Sequence, residues 1–222
     1  MIRLVVFDWD GTLMDSEARI VTAMQQAFVE HGAPAPSRAA VRNIIGLDLS
    51  EAVARLSPGL ESRIGAAIVH SYRGRYAGLH AIPSPLFAGA ENTLETLAAS
   101  GCMLAVATGK SRRGLDRALQ EACVGRYFAI TRCGEESAPK PDPAMLRDIL
   151  LELDVEPRQA LMVGDTEFDL AMAAAARTHA AAVTYGAHSR ASLLAHQPAI
   201  VIDALAELPG AIERFNLNAI QI

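Results

Sequence analysis

Short apolar runs alternate along most of this chain with longer segments whose apolar residues follow helical spacing. The apolar runs predict strands at 2–7, 102–107, 127–131, 160–163, 179–184 and 199–202. The segments of helical spacing predict helices at 90–99, 111–122, 142–152 and 166–177, with a last one near 203–214. The strand segments are almost continuously apolar, which is typical of strands covered on both faces. The pattern therefore predicts an α/β fold with a parallel sheet.

The segment from 14 to 82 breaks this alternation. It carries apolar residues at helical spacing, including Ile20, Met24 and Phe28, and none of its runs predicts a strand. Two turn-forming stretches, at 31–37 and 56–62, separate its helices. The simplest organisation is an α/β core domain of residues 1–13 and 83–222, interrupted by a small helical domain of residues 14–82.

Composition narrows the class of protein. The chain has 222 residues, of which 51% are hydrophobic and 20% charged, a profile typical of globular proteins. Its net charge of −5, with no basic cluster, argues against a nucleic-acid partner. No apolar run approaches the roughly 20 residues that span a bilayer, and Asp8 comes too early for a signal peptide. Three cysteines without metal-site spacing fit reduced thiols, so we expect a cytoplasmic protein without membrane contact.

Polar groups stand where the predicted strands end and the helices begin. They are Asp8, Asp10, Thr108, Lys140, Asp165 and Asp169. Because ligands bind at the carboxyl ends of parallel strands, we expect these side chains to converge. Four carboxylates in one crevice repel one another unless a cation compensates, and carboxylate oxygens suit Mg²⁺. With a lysine and a threonine beside them, they predict a pocket for an oxyanion such as phosphate.

These residues stand in four ordered motifs that resemble those of the haloacid dehalogenase superfamily. The motifs are DWDGT at 8–12, Thr108 after an apolar strand, Lys140 in KPDP, and GDTEFD at 164–169. The helical insertion after the first motif resembles the C1 cap of the phosphoglycolate phosphatase and β-phosphoglucomutase branch. The resemblance covers residues 2–203. It implies a Rossmann-like parallel sheet with helices on both faces and an inserted, small all-helical cap domain.

The resemblance also implies roles for individual residues. Asp8 would be the nucleophile that attacks phosphorus and forms an aspartyl-phosphate intermediate. Asp10 would protonate the leaving oxygen and later take a proton from water. Thr108, the amide of Gly109 and Lys140 would bind the phosphoryl oxygens.

A magnesium site is implied by the same resemblance. Asp8, the backbone carbonyl of Asp10 and Asp165 would ligate Mg²⁺, which would shield Asp8 from an anionic substrate. Asp169 would orient Lys140 or a metal-bound water rather than bind the metal directly.

The function that follows is that of a Mg²⁺-dependent phosphatase acting on a small phosphorylated metabolite, either phosphoglycolate-like or a sugar phosphate. A phosphomutase of the same family and a phospho-accepting regulatory protein without turnover remain open. Dehalogenases and phosphonatases of this layout lack a counterpart of Asp10, which makes them poorer fits. The sequence leaves open whether the protein is a monomer or a homodimer.

Three further residues near the motifs carry expectations. Trp9 alternates with Asp8 and Asp10 along a strand, so its side chain should point away from them and pack against the core or the cap hinge rather than stack on a substrate. Lys110 could be a second phosphate contact, but a solvent-facing lysine at a helix start is the preferred interpretation. Arg42 in the helical segment is expected to be an exposed helix residue rather than a substrate contact.

Overall fold

One sheet forms the centre of the protein. The computed structural model of the protein describes residues 1–220. The strands of the sheet are β1 (Leu4–Phe7), β2 (Met103–Thr108), β3 (Ile130–Cys133), β4 (Ala160–Gly164), β5 (His179–Val183) and β6 (Ile200–Ile202). Four helices follow β1 directly, and they are α1 (Glu17–Glu30), α2 (Arg38–Arg42), α3 (Leu49–Leu56) and α4 (Ser62–Gly78). The later helices are α5 (Ala90–Ala99), α6 (Arg112–Ala122), α7 (Ala144–Glu152), α8 (Glu167–Ala176), α9 (Arg190–Ala195) and α10 (Leu208–Ile220).

The strands pair in parallel in the order β3-β2-β1-β4-β5-β6. The chain builds outward from β1 to β3 and then crosses to the other side of β1 to add β4. The strand order reverses between β1 and β4, and the carboxyl ends of strands at such a point form a ligand-binding crevice. The predicted α/β class with a Rossmann-like parallel sheet is confirmed.

Alternation within β1 explains why its sequence is apolar throughout. Val5 and Phe7 join an apolar cluster that includes residues of α5, α6 and α10. Leu4 and Val6 join a second cluster with residues of α7 and α8 on the opposite face. Because both faces are covered, a polar residue within the strand would be buried on either side. The first carboxylate, Asp8, comes only where the strand ends.

The four helices after β1 bury an apolar cluster of their own. Met24 and Phe28 of α1 and Ile68 of α4 are almost fully buried in it. Ser37 and Asp48 cap the starts of α2 and α3 by accepting hydrogen bonds from backbone amides. The helical character predicted for this segment is therefore present.

Two predicted elements begin several residues later in the structure, and one helix was not predicted. The strand predicted at 127–131 begins only at Ile130, because residues 125–127 form a 3₁₀ turn that places Phe128 against Trp9. The helix expected from 203 begins at Leu208, after a 3₁₀ turn at 205–207. Helix α9 was not predicted, because it has only six residues and a single buried one, Leu193.

The three cysteines are all free thiols. Burial raises the pKa of Cys133 to about 12, so this thiol stays protonated near neutral pH. Within residues 1–220, none of the helices combines the length and apolar character needed to cross a membrane.

Helix α7 offers a matched test of the core. Leu146 is fully buried against the sheet, whereas Leu151 on the same helix is 84% exposed. We expect Leu146→Ala to lower the free energy of unfolding by about 2–5 kcal/mol, because it leaves a cavity. Leu151→Ala should change it by no more than about 0.5 kcal/mol. Urea denaturation of both variants measures this, and equal losses would contradict the packing described.

Candidate active site

The predicted polar residues converge at the carboxyl edge of the sheet. Asp8 follows β1, Thr108 ends β2, and Asp165 follows β4. Asp8 and Thr108 line a cavity of about 510 Å³ between this edge of the sheet and α1, α3, α4 and the loop before α3. The residues that line it from the side of the sheet include Asp8, Asp10, Thr108, Gly109 and Lys110. The site is therefore a crevice with the sheet as its floor and the helical segment as its roof.

Lys140 joins two of the carboxylates. Its ammonium is fully buried, and Nζ lies 2.6 Å from Oδ1 of Asp8 and 2.6 Å from Oδ1 of Asp169. Burial by itself lowers the pKa of Lys140, but the negative charges of Asp169 and Asp8 outweigh it and raise the pKa above its usual value. Lys140 is therefore a permanent cation between two acids.

Asp8 has one oxygen held and one oxygen open. Its Oδ1 accepts from Lys140, whereas Oδ2 is buried and has no hydrogen-bond partner among the described residues. Burial raises the pKa of Asp8 well above its usual value, and the nearby carboxylates of Asp169 and Asp165 add to this despite Lys140. A buried carboxylate oxygen without a partner is costly, which marks this atom as one that binds something else.

Asp165 is held by two donors from different parts of the chain. Oδ1 accepts from the Thr12 hydroxyl at 2.8 Å, and Oδ2 accepts from the Ala187 amide at 2.7 Å. Burial and the charge of Asp169 raise its pKa to about 7. Gly11 has a φ of +87°, and a Cβ there would collide with the Asp165 carboxylate. The glycine of the first motif thus makes room for the acid of the fourth.

The residues Asp8, Asp165 and Asp169 can hold a divalent cation. A ligand oxygen from each of the three lies within 4.8 Å of the others, and all three residues are buried. Burial and the neighbouring carboxylates raise the pKa values of Asp8 and Asp165, and a bound cation would relieve this repulsion between the acids. An all-oxygen donor set suits a hard ion such as Mg²⁺.

Asp169 differs from the other two acids because both of its oxygens are engaged. Oδ1 accepts from Lys140, and Oδ2 accepts from the Thr166 amide at 3.1 Å and from the Thr166 hydroxyl at 2.6 Å. The Thr166 hydroxyl in turn caps the start of α8. Asp169 is therefore fixed in a position that orients the Lys140 ammonium.

Asp10 lies apart from this triad and has its own partners. Ser16 donates to Oδ1 at 2.5 Å, and the Lys110 ammonium lies 2.8 Å from both Oδ1 and Oδ2. The preferred expectation of a solvent-facing Lys110 is wrong, because its side chain is only 9% exposed. The ion pair with Asp10 draws it inward.

A signal in the sequence could have identified Lys110. The chain has 20 basic residues, of which only Lys110 and Lys140 are lysines. All of the other basic residues are arginines, so a lysine at either position departs from the general composition of the chain. Ser16 carried no comparable signal, because serines before helices are common caps.

Two other expectations can be compared with the structure. Trp9 is fully buried, with its indole N–H directed at the Met14 sulfur, so the prediction that it packs in the core is confirmed. Arg42 was expected to be an exposed helix residue rather than a substrate contact. It does end α2 with a side chain that is 39% exposed, but it also makes contacts that were not expected. It donates to the backbone carbonyls of Gly186 and Ala187 at 3.0 and 3.1 Å, which links α2 to the loop that holds Asp165.

The loop between α2 and α3 packs directly against the loop that follows β2. A Cβ on Gly109 would lie only 2.6 Å from the Leu47 carbonyl oxygen and 2.7 Å from that of Gly46. Gly109 is therefore required for the close approach of the two loops. This steric requirement is additional to the role expected for its amide.

Comparison with known proteins agrees with the fold and the motifs. The model of the family described as haloacid dehalogenase-like hydrolase matches residues 5–183. A protein from Dickeya dadantii named "Probable phosphatase IndB" is 35% identical over 216 residues, which cover 95% of this chain and 94% of that protein. Phosphoglycolate phosphatase 1 from Pseudomonas aeruginosa is 34% identical, over 93% of this chain and 78% of that protein.

A solved structure extends the comparison to three dimensions. The haloacid dehalogenase-like family hydrolase from Streptococcus pneumoniae superposes with a TM-score of 0.84 at 27% identity. The superposition covers 94% of this chain and 97% of that one. The likeness therefore includes the helical segment as well as the sheet. With the family model matched over most of its length, this chain belongs to the haloacid dehalogenase-like hydrolases.

Proposed function

We propose that this protein is a phosphatase that hydrolyses a small phosphomonoester through an aspartyl-phosphate on Asp8. The observation that carries the proposal is the state of the Asp8 carboxylate. One oxygen is fixed by Lys140 at 2.6 Å, while the other has no partner among the described residues. An oriented carboxylate with a free oxygen, in a crevice with a second acid, is suited to nucleophilic attack on phosphorus.

The reaction divides into two steps. In the first, Oδ2 of Asp8 bonds to phosphorus, the ester P–O bond breaks, and Asp10 gives its proton to the departing oxygen. In the second, a water attacks phosphorus, Asp10 takes the proton of that water, and the bond between phosphorus and Asp8 breaks. Inorganic phosphate leaves, and both acids return to their starting states.

Three groups are assigned to the phosphoryl oxygens. The Thr108 hydroxyl and the Gly109 amide stand at the end of β2, and the Lys140 ammonium stands beside Asp8. Donors fixed before the reaction stabilise the charge that develops in the transition state. Asp169 supports this by holding Lys140.

A bound Mg²⁺ would neutralise the carboxylates and reduce the repulsion between Asp8 and an anionic substrate. Asp8, Asp165 and the backbone carbonyl of Asp10 are the proposed ligands. The support for Asp8 and Asp165 is that they belong to a cluster of three buried acids, in which the third, Asp169, has both oxygens engaged by Lys140 and Thr166.

Residues 14–82 are proposed to form a cap domain on a core domain of residues 1–13 and 83–222. Residues 221 and 222 lie outside the part of the chain that the structure describes. Residues of this segment line the cavity opposite Asp8, so its closure would exclude bulk water. Several relatives are named phosphoglycolate phosphatase. We therefore propose a phosphoglycolate-like substrate, with a sugar phosphate as the second choice.

Replacing the nucleophile tests the mechanism. Asp8→Asn should lower kcat/KM for p-nitrophenyl phosphate with Mg²⁺ by at least about 10³-fold, because the covalent step is lost. Asp116→Asn, on the exposed face of α6, is the matched control and should stay within about twofold of wild type. Undiminished turnover by Asp8→Asn would refute the mechanism.

The fate of the phosphoryl group separates a phosphatase from a phosphomutase. Wild-type protein incubated with phosphoglycolate or a hexose phosphate should release one inorganic phosphate per substrate consumed. The reason is that a water, rather than a second substrate hydroxyl, takes the phosphoryl group from Asp8. Malachite-green detection of phosphate, with chromatography of the organic product, measures this. An isomeric sugar phosphate without free phosphate would indicate a mutase.

Metal binding can be measured without turnover. Mg²⁺ at about 100 times its dissociation constant should stabilise the wild-type fold by about 2.7 kcal/mol, and thermal unfolding would report it as a higher Tm. Asp165→Asn should lose most of this Mg²⁺-dependent shift, whereas Asp116→Asn should retain it. A full shift in Asp165→Asn would exclude Asp165 as a ligand.

The Mg²⁺ effect should also depend on pH. Burial raises the pKa of Asp165 to about 7, so without metal this carboxyl is mostly protonated below that pH. Protons then compete with Mg²⁺, and the affinity should rise as the pH increases from about 5 to 8. Calorimetric titration across this range measures it. An affinity that is constant with pH would contradict the raised pKa.

A further inference from the structure

Lys110 has all of its hydrogen-bonding capacity in use. Nζ lies 2.8 Å from Oδ1 and 2.8 Å from Oδ2 of Asp10, and 3.4 Å from the Tyr76 hydroxyl. An ammonium has three N–H donors, which matches these three acceptors. Lys110 is thus bound to a protein carboxylate rather than turned toward a substrate.

The residue type suits this arrangement. An ammonium is a compact charge with three rotatable donors, so a single Nζ can reach the Asp10 carboxylate and the Tyr76 hydroxyl together. The chain nonetheless uses arginine for 18 of its 20 basic residues. A lysine at position 110 therefore departs from the chain's preference for arginine. The contacts of its ammonium with Asp10 and Tyr76 give a reason for this difference.

Tyr76 connects Lys110 to the helical segment. It lies on α4, and the Lys110 ammonium stands 4.8 Å from its ring centroid. On α1, the buried Arg19 has its guanidinium 4.7 Å from the same ring centroid and donates to the Tyr76 carbonyl at 2.9 Å. Cation–π contacts of this kind help to fix the ring. The position of Lys110 therefore depends on how α1 and α4 pack over the cavity.

We propose that Lys110 is a positioning residue for Asp10. Together with Ser16 it fixes the Asp10 carboxylate for proton transfer, and through Tyr76 it makes that position depend on the packing of α4. This inference rests on the proposed function, because it assumes that Asp10 protonates the leaving group. Lys110 acts through Asp10 and does not touch the reacting atoms.

The leaving group of the substrate provides a specific test. A p-nitrophenolate is stable enough to depart with little protonation, whereas an ethoxide requires a proton from the acid. If Asp10 is no longer held in position, kcat/KM should therefore fall further for ethyl phosphate than for p-nitrophenyl phosphate. Ethyl phosphate has no anionic tail, so a lost contact to a substrate carboxylate cannot imitate the effect.

The experiment measures kcat/KM of Lys110→Met with both substrates and Mg²⁺. Positioned acid–base groups contribute about 10²–10⁴-fold, so we expect a loss at least about 10-fold greater for ethyl phosphate. In an Asp10→Asn background, Lys110→Met should cause almost no further loss, because the two residues act as one unit. Equal losses for both substrates, no loss, or fully additive losses would each overturn the proposal.

Two further variants complete the design. Arg113→Met removes an exposed cation that lines the same cavity, and it should leave the ratio of the two kcat/KM values unchanged. Tyr76→Phe removes only the hydroxyl. It should lower kcat/KM less than Lys110→Met does, and the decrease should again be greater for ethyl phosphate. If Lys110→Met does not fold by circular dichroism, Tyr76→Phe decides, and an unselective result there overturns the proposal.

Failure of this inference can be distinguished from failure of the proposed function. If wild-type protein hydrolyses neither ester, or if Asp8→Asn matches it, the phosphatase mechanism fails. If wild type is active and Asp8→Asn is not, an unselective Lys110→Met overturns the role of Lys110 alone.

Discussion

The ion pairs of Lys140 with Asp8 and Asp169 are the constraint on which the rest of the site depends. Both N–O distances are 2.6 Å, and all three side chains are buried. A buried ion costs several kcal/mol in lost hydration, and removing one partner of such a pair typically costs about 3–5 kcal/mol. The end of β1, the start of α8 and the proline-rich loop before α7 must therefore meet within narrow tolerances. The same two ion pairs therefore constrain both the geometry of the site and the packing of these three segments.

The sheet topology makes this convergence possible. Parallel pairing of β1 with β4 sets Phe7 opposite Val163, so the two strands end side by side with Asp8 and Asp165 just beyond them. The crossover from β3 to β4 leaves the crevice between these two ends open to ligands. Residues more than 150 positions apart in the chain, such as Thr12 and Asp165, thereby reach hydrogen-bonding distance.

The parts of the molecule that follow from local pattern were predictable from the sequence. β1, β2 and β4 could be located because strands covered on both faces have continuous apolar runs, and the polar residues at their ends then follow from parallel geometry. Lys110 was misjudged because spacing alone does not show that a helix-start side chain folds back onto Asp10. The contacts of Arg19 and Arg42 were likewise inaccessible, since they depend on how the helices after β1 pack against the rest of the chain. Ala187 donates through its backbone, so its side-chain type carries no information about its contact with Asp165.

The scarcity of lysine gives the protein an unusual spectroscopic property. Its two lysine ammonium groups both lie in the crevice, one against Asp8 and Asp169 and the other against Asp10 and Tyr76. Isotope-labelled lysine supplied during expression would therefore place its side-chain signals only at these two points. One signal would report on the environment of Asp8 and the other on that of Asp10, against a background free of other lysines. The composition of this chain thus makes the crevice directly observable in solution.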